Sequence, residues 1–134
     1  MPQHLAAIAY LVRDYDEAIA WFTGKLGFTL VEDTRLSPEK RWVVVAPPGA
    51  AAFSHAARLL LARAGTPAQL ASLGAQAGGR VAFFLHTDDF ARDHAAYLAA
   101  GIKFREAPRH EAYGTVAVFE DLYGQPWDLI EPRG

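Results

Sequence analysis

The chain contains no cysteine among its 134 residues. Disulfides, thiolate metal sites and a cysteine nucleophile are thereby excluded, and the absence accords with a reducing compartment. Long apolar runs are missing as well. No stretch approaches the ~20 residues that a membrane-crossing helix requires. The opening Met-Pro-Gln-His lacks the charged-then-apolar order of a secretory leader, so none is expected and the protein reads as cytoplasmic. Basic residues are scattered rather than clustered and the net charge is −2, which argues against nucleic acid as a partner. Catalytic signatures are equally scarce, with no Gly-x-Ser-x-Gly elbow, no His-x-His and no His-Glu-x-x-His. The pair Gly78-Gly79 precedes an apolar run rather than a helix, so it is no phosphate cradle. What remains is an ordinary globular composition, 51% hydrophobic and 21% charged, in a length that suits one domain with a real core.

Residues 4–12 are a nearly continuous apolar run and read as a buried strand. Asp14-Tyr-Asp-Glu17 follows as a capping box. Tyr15, Ala18, Ile19, Phe22 and Leu26 then recur at helical spacing, and Gly27 stands where a left-handed terminal residue belongs. Strands are expected at 28–32, 41–46 and 58–63, separated by Ser37-Pro-Glu-Lys40 and Pro47-Pro-Gly49. Thr66-Pro67 opens a short connector helix, expected to cover 67–76. A strand at 80–86 leads to Thr87-Asp-Asp89 and a helix to about Ala100, closed by Gly101. Strands at 102–106, 115–119 and 126–130 complete the chain, with Pro108 to Gly114 read as a loop.

The halves match. Asp14 and Gly27 bracket one helix, Asp88 and Gly101 another, thirteen positions apart in each case. Each helix is preceded by an apolar strand and followed by three more. This is an internal βαβββ repeat, module 1 at about 4–63 and module 2 at about 80–131, joined by a connector at about 66–77. The expected fold is α/β (α+β): two βαβββ modules forming a curved mixed sheet around a cleft, in one domain over 1–134.

Asp14-Tyr-Asp-Glu-Ala-Ile-Ala-Trp-Phe22 with Lys25-Leu-Gly-Phe28 resembles the opening signature of the vicinal oxygen chelate superfamily, which includes glyoxalase I, bleomycin-resistance proteins and extradiol dioxygenases. Glu120-Asp-Leu-Tyr-Gly-Gln-Pro-Trp-Asp-Leu-Ile-Glu131 resembles its closing signature, with Gln125 in place of the usual Asn. The resemblance covers essentially the whole chain. It implies a cleft for a small-molecule ligand, commonly in a homodimer, and in many members a divalent metal acting as a Lewis acid. It is weak for the reaction, because one fold hosts many chemistries.

The positions that the resemblance assigns to metal ligands hold Ala7, Arg80 and Asp128, with apolar Leu60 to Ala62 at an occasional fourth. Alanine cannot coordinate, and arginine is a permanent cation. No metal site and no cofactor are therefore expected. Strand alternation directs Ala7, Ala9 and Leu11, and in the second half Arg80, Phe84 and His86, to the cleft, while Val81, Phe83 and Leu85 pack on the helices. An Arg80–Asp128 ion pair is expected where the metal would lie. The candidate ligand-binding residues are Arg41, Trp42, Arg80, Phe84, His86, Tyr113 and Asp128: guanidinium forks for an anion, rings for stacking, and a titratable imidazole. His55 and His110 are read as loop residues and His94 as part of a polar helix face. The expected function is metal-independent binding of a small aromatic or anionic organic molecule. Whether the protein is also an enzyme is left open. One alternative is a metal-dependent lyase, isomerase or dioxygenase using Asp128 with His4 or His86; another is a dimerising regulatory module.

Overall fold

The alternation of Ile8, Tyr10 and Val12 with Ala7, Ala9 and Leu11 becomes strand β1 (Ala7–Val12), in which Tyr10 and Val12 are wholly buried. In the computed structural model, which describes residues 2–50 and 56–134, the chain divides into two compact units, 1–73 and 74–134. Each is a four-stranded mixed sheet carrying one ten-residue helix, so the architecture is the α+β repeat expected from the sequence.

Unit 1 contains β1, α1 (Tyr15–Gly24), β2 (Thr29–Arg35), β3 (Arg41–Ala46), β4 (Arg58–Arg63) and the short α2 (Pro67–Ala71). Its strand order is β1-β4-β3-β2, with β1 and β4 parallel and the other pairs antiparallel. The Asp14 carboxylate accepts the Glu17 amide at 2.8 Å, as the capping motif requires, while the Glu17 side chain takes the Arg13 guanidinium instead of closing the box. Phe22 is fully buried and meets Tyr10 edge-on at 6.1 Å and Phe28 at 5.5 Å. Together with Val43, Val45 and Leu61, these rings make the core between helix and sheet.

Unit 2 contains β5 (Phe83–His86), α3 (Phe90–Ala99), β6 (Arg109–Glu111), β7 (Gly114–Glu120) and β8 (Pro126–Pro132), in the order β5-β8-β7-β6. Only β5 and β8 run parallel. Its core is an aromatic ladder in which Tyr97, Phe104, Phe119 and Trp127 follow one another, and Phe83 closes it on Trp127 at 4.5 Å. Burial pushes the Tyr97 phenol above its ordinary pKa, so it stays protonated.

Four local readings are corrected. The second helix is capped by Asp89, whose side chain accepts the Arg92 amide at 3.0 Å; Asp88 pairs with the Arg92 guanidinium instead. The connector helix stops at Ala71, because Ser72 and Leu73 turn their amides to carbonyls three residues back and Gly74 then adopts φ +75°. Residues 102–106 form only a single bridge, Phe104 to Phe119, since the Glu106 carboxylate takes the Val118 amide that a paired strand would use. The pairing strand is instead β6, inside the segment read as a loop.

The closing turn shows why its residue types are needed. Asp121 is buried, and its carboxylate accepts from the Tyr123 and Gln125 amides and from the Trp127 indole at 3.1 Å. The wholly buried Gln125 side chain accepts from the Gln76 amide and donates to the Arg80 and Pro126 carbonyls. A glutamine reaches partners that a shorter asparagine would not, and it ties residues 76–80 to the sheet.

Candidate functional site

Residues paired across a ladder lie on the same face of a sheet. In unit 2 one face carries Phe83, Leu85, Phe119, Trp127 and Leu129 toward the helix. The other carries Phe84, His86, Val118 and Asp128. The expected alternation along β5 is therefore present: Phe84 and His86 are exposed and Phe83 and Leu85 are half-buried.

Asp128 lies at the middle of this second face, in register with Phe84 on one side and Val118 on the other. Its Oδ1 is buried and has no hydrogen-bond partner. Desolvation raises the carboxyl above its ordinary pKa; nearby Arg109 opposes the rise and nearby Glu106 adds to it. Arg109 reaches this face because it pairs with Val116. Its guanidinium is shared between Glu106 at 2.9 Å and Glu111 at 3.1 Å. Tyr113 is 53% exposed in the tight turn between β6 and β7.

Sequence reasoning missed Glu106 and Arg109 as neighbours of Asp128. Reading Glu111-Ala-Tyr-Gly114 as a two-residue hairpin loop would have aligned Arg109 with Val116 and so found one of them. Arg80 precedes β5, is exposed, and donates from Nε to the Val81 carbonyl at 3.3 Å. It makes no ion pair with Asp128, contrary to expectation, because it lies outside the ladder that positions Asp128. His94 stacks on Phe90 at 5.3 Å and packs on Phe104 at 4.6 Å, so it is a half-buried packing residue rather than a solvated one. His110 is on β6 with Nδ1 3.3 Å from the Thr115 hydroxyl. His55 lies outside the described residues.

Unit 1 holds a cavity of about 410 Å³. Its walls include Tyr15, Lys40, Arg41, Trp42, Leu60 and Arg63. Arg41 grips Asp33 with two nitrogens, at 3.1 and 2.7 Å, reaches Asp16 at 2.9 Å, and lies over the Tyr15 ring at 5.2 Å. The Arg41 hydrogen bonds hold Asp33 below the usual carboxylate range, and the guanidinium has little left for a ligand. Trp42 is 40% exposed.

A divalent ion does not fit the residues at the positions that the resemblance assigns to metal ligands. Ala7 offers no donor, Arg80 is a cation, and Asp128 shares its neighbourhood with Arg109. Among the described residues no group of three or more His, Cys, Asp or Glu side chains is placed to hold an ion.

Residues 4–129 match the Glyoxalase/Bleomycin resistance protein/Dioxygenase superfamily. An uncharacterized protein of Shewanella frigidimarina is 54% identical over 132 residues, 98% of this chain and 95% of that one. The crystal structure of UcmS2 superposes with a TM-score of 0.80 at 28% identity, covering 98% of this chain and 99% of that one. That of TnmS3, an antibiotic binding protein from Streptomyces sp. CB03234, does so with a TM-score of 0.75 at 25% identity, covering 98% of each chain.

Proposed function

The chain belongs to the Glyoxalase/Bleomycin resistance protein/Dioxygenase superfamily, and on that footing we propose that it binds a small, partly aromatic organic molecule without a metal. The observation that carries this reading is the buried, unpartnered Asp128 oxygen beside the exposed Phe84 ring. A buried polar atom without a partner destabilises the free protein by about 1–3 kcal/mol, and a ligand that hydrogen-bonds it recovers that loss. Phe84, and Tyr113 where the ligand extends further, supply stacking area; His86 supplies a second polar contact. The likeness to TnmS3, an antibiotic binding protein, supports the same class of role.

A homodimer is part of the proposal. Strands β1 and β5 are sheet edges. Edge β2 is guarded by charged residues and a bulge and edge β6 has only three residues, whereas β1 and β5 carry Ala-Ile-Ala-Tyr-Leu-Val and Phe-Phe-Leu-His. Unguarded apolar edges invite a partner strand.

The test is calorimetric titration with bleomycin and with uncharged planar three-ring aromatics, on protein purified without chelator. Saturable binding is expected, weakened about tenfold or more by Phe84→Ala or Asp128→Asn, since each removes a contact of 1 kcal/mol order. Elemental analysis should find no stoichiometric metal. One tightly held Ni, Zn, Mn or Fe per chain would overturn the metal-free reading.

A further inference from the structure

We propose that the unit 1 cavity is itself a binding site for an aromatic monocarboxylate, held by Lys40 and Arg63 against Trp42. Its volume of about 410 Å³ lies in the range of small-molecule sites, roughly 300–1,000 Å³. Every wall residue belongs to 1–73, so the cavity is complete in unit 1 and shares no lining residue with the Asp128 face.

The charge comes from residues that the sequence did not single out. Three cations line the cavity, but Arg41 is committed to Asp33 and Asp16. Among the described residues neither Lys40 nor Arg63 has a carboxylate within ion-pair distance. Arg63 ends β4, and Lys40 immediately precedes β3. The fixed Arg41 braces the rim through the Tyr15 ring and through its own amide, which donates to the Tyr15 hydroxyl at 3.3 Å. Glu39 is the one acid in the lining. It leaves the two uncommitted cations with a surplus of one positive charge, which suits a monoanion better than a phosphate dianion. Trp42 offers the ring face and Leu60 and Ala62 the apolar floor, so the preferred anion carries an aromatic body. An arginine fork and an ammonium together match a carboxylate.

The probes are 2-naphthoate and its neutral isostere 2-naphthamide, titrated calorimetrically into the full chain. Naphthoate is expected to saturate, with naphthamide about tenfold weaker or worse. The double variant Lys40→Gln/Arg63→Gln should lose about tenfold for naphthoate and nothing for naphthamide. Arg63→Lys, which keeps the charge, should restore most of the loss, and unchanged far-UV circular dichroism confirms folding. Equal affinities for the two probes, no effect of the double variant, or absence of saturation would overturn the proposal. Failure here leaves the Asp128-centred reading standing, because that reading is tested with other variants and other probes.

Discussion

Asp128 and Arg41 are opposite uses of charge at single residues. Arg41 is answered by two carboxylates and a ring, so its position is stable and its chemistry is spent. Asp128 is answered by nothing on one oxygen, and its neighbours are a cation already shared by two glutamates. Its raised carboxyl pKa has a definite consequence for stability. The folded protein holds that proton more tightly than the unfolded chain, whose carboxyl titrates near 3.9. Stability contributed by the proton is complete below the unfolded value and is lost as pH rises through the folded one. Asp128→Asn removes the charge while keeping the shape. The variant is expected to melt higher than the parent at pH 7, with the gap closing toward pH 4, in thermal melts followed across that range. A gap independent of pH would show that the carboxyl does not titrate in this way.

At the level of elements, the two ten-residue helices were legible and the edge strand β6 was not. Asp14 announced its helix through local chemistry that needs only three residues. The same chemistry offered two adjacent aspartates for the second helix, and the backbone chose Asp89. The strand expected at 102–106 failed for a non-local reason, since a glutamate side chain competes for the ladder amide of Val118. The connector ended early because Gly74 packs under the Tyr123 carbonyl, a contact that depends on a residue 49 positions away. This contact is testable. Gly74 and Gly101 both have positive φ, but a side chain at Gly101 would meet open space, whereas a Cβ at Gly74 would strike the Tyr123 backbone. Gly101→Ala is expected to cost about 1 kcal/mol from the left-handed conformation alone, and Gly74→Ala clearly more, in urea denaturation. Equal losses would place the strain in φ rather than in the close approach.

For the whole molecule, the duplication organises everything. Each half repeats a helix of ten residues, a parallel pair at one edge of its sheet and an antiparallel remainder. The unguarded edges β1 and β5 lie in equivalent positions of the two sheets. Leu5 and Ile8, 74% and 41% exposed, add apolar surface at and just before β1. The proposed homodimer should sediment at about twice the 14.6 kDa chain mass. A lysine placed at Ile8 should shift the equilibrium toward monomer, because charge on an edge strand opposes pairing. Sedimentation of the parent as a monomer at all concentrations would refute this reading.

The element order within each half, the Asp14 cap and the alternation along β5 were determined by residues close together in sequence. Capping, periodicity and donor chemistry act over a few positions and need no fold to be read. Tertiary structure alone decided that Arg41 is consumed by Asp33 and Asp16, that Arg80 does not pair with Asp128, and that the charges of Glu106 and Arg109 act on it. It also gathered Lys40 and Arg63, residues 23 positions apart, around one cavity. Those outcomes depend on ladder register and on competition between distant side chains for the same partner, which local pattern does not encode.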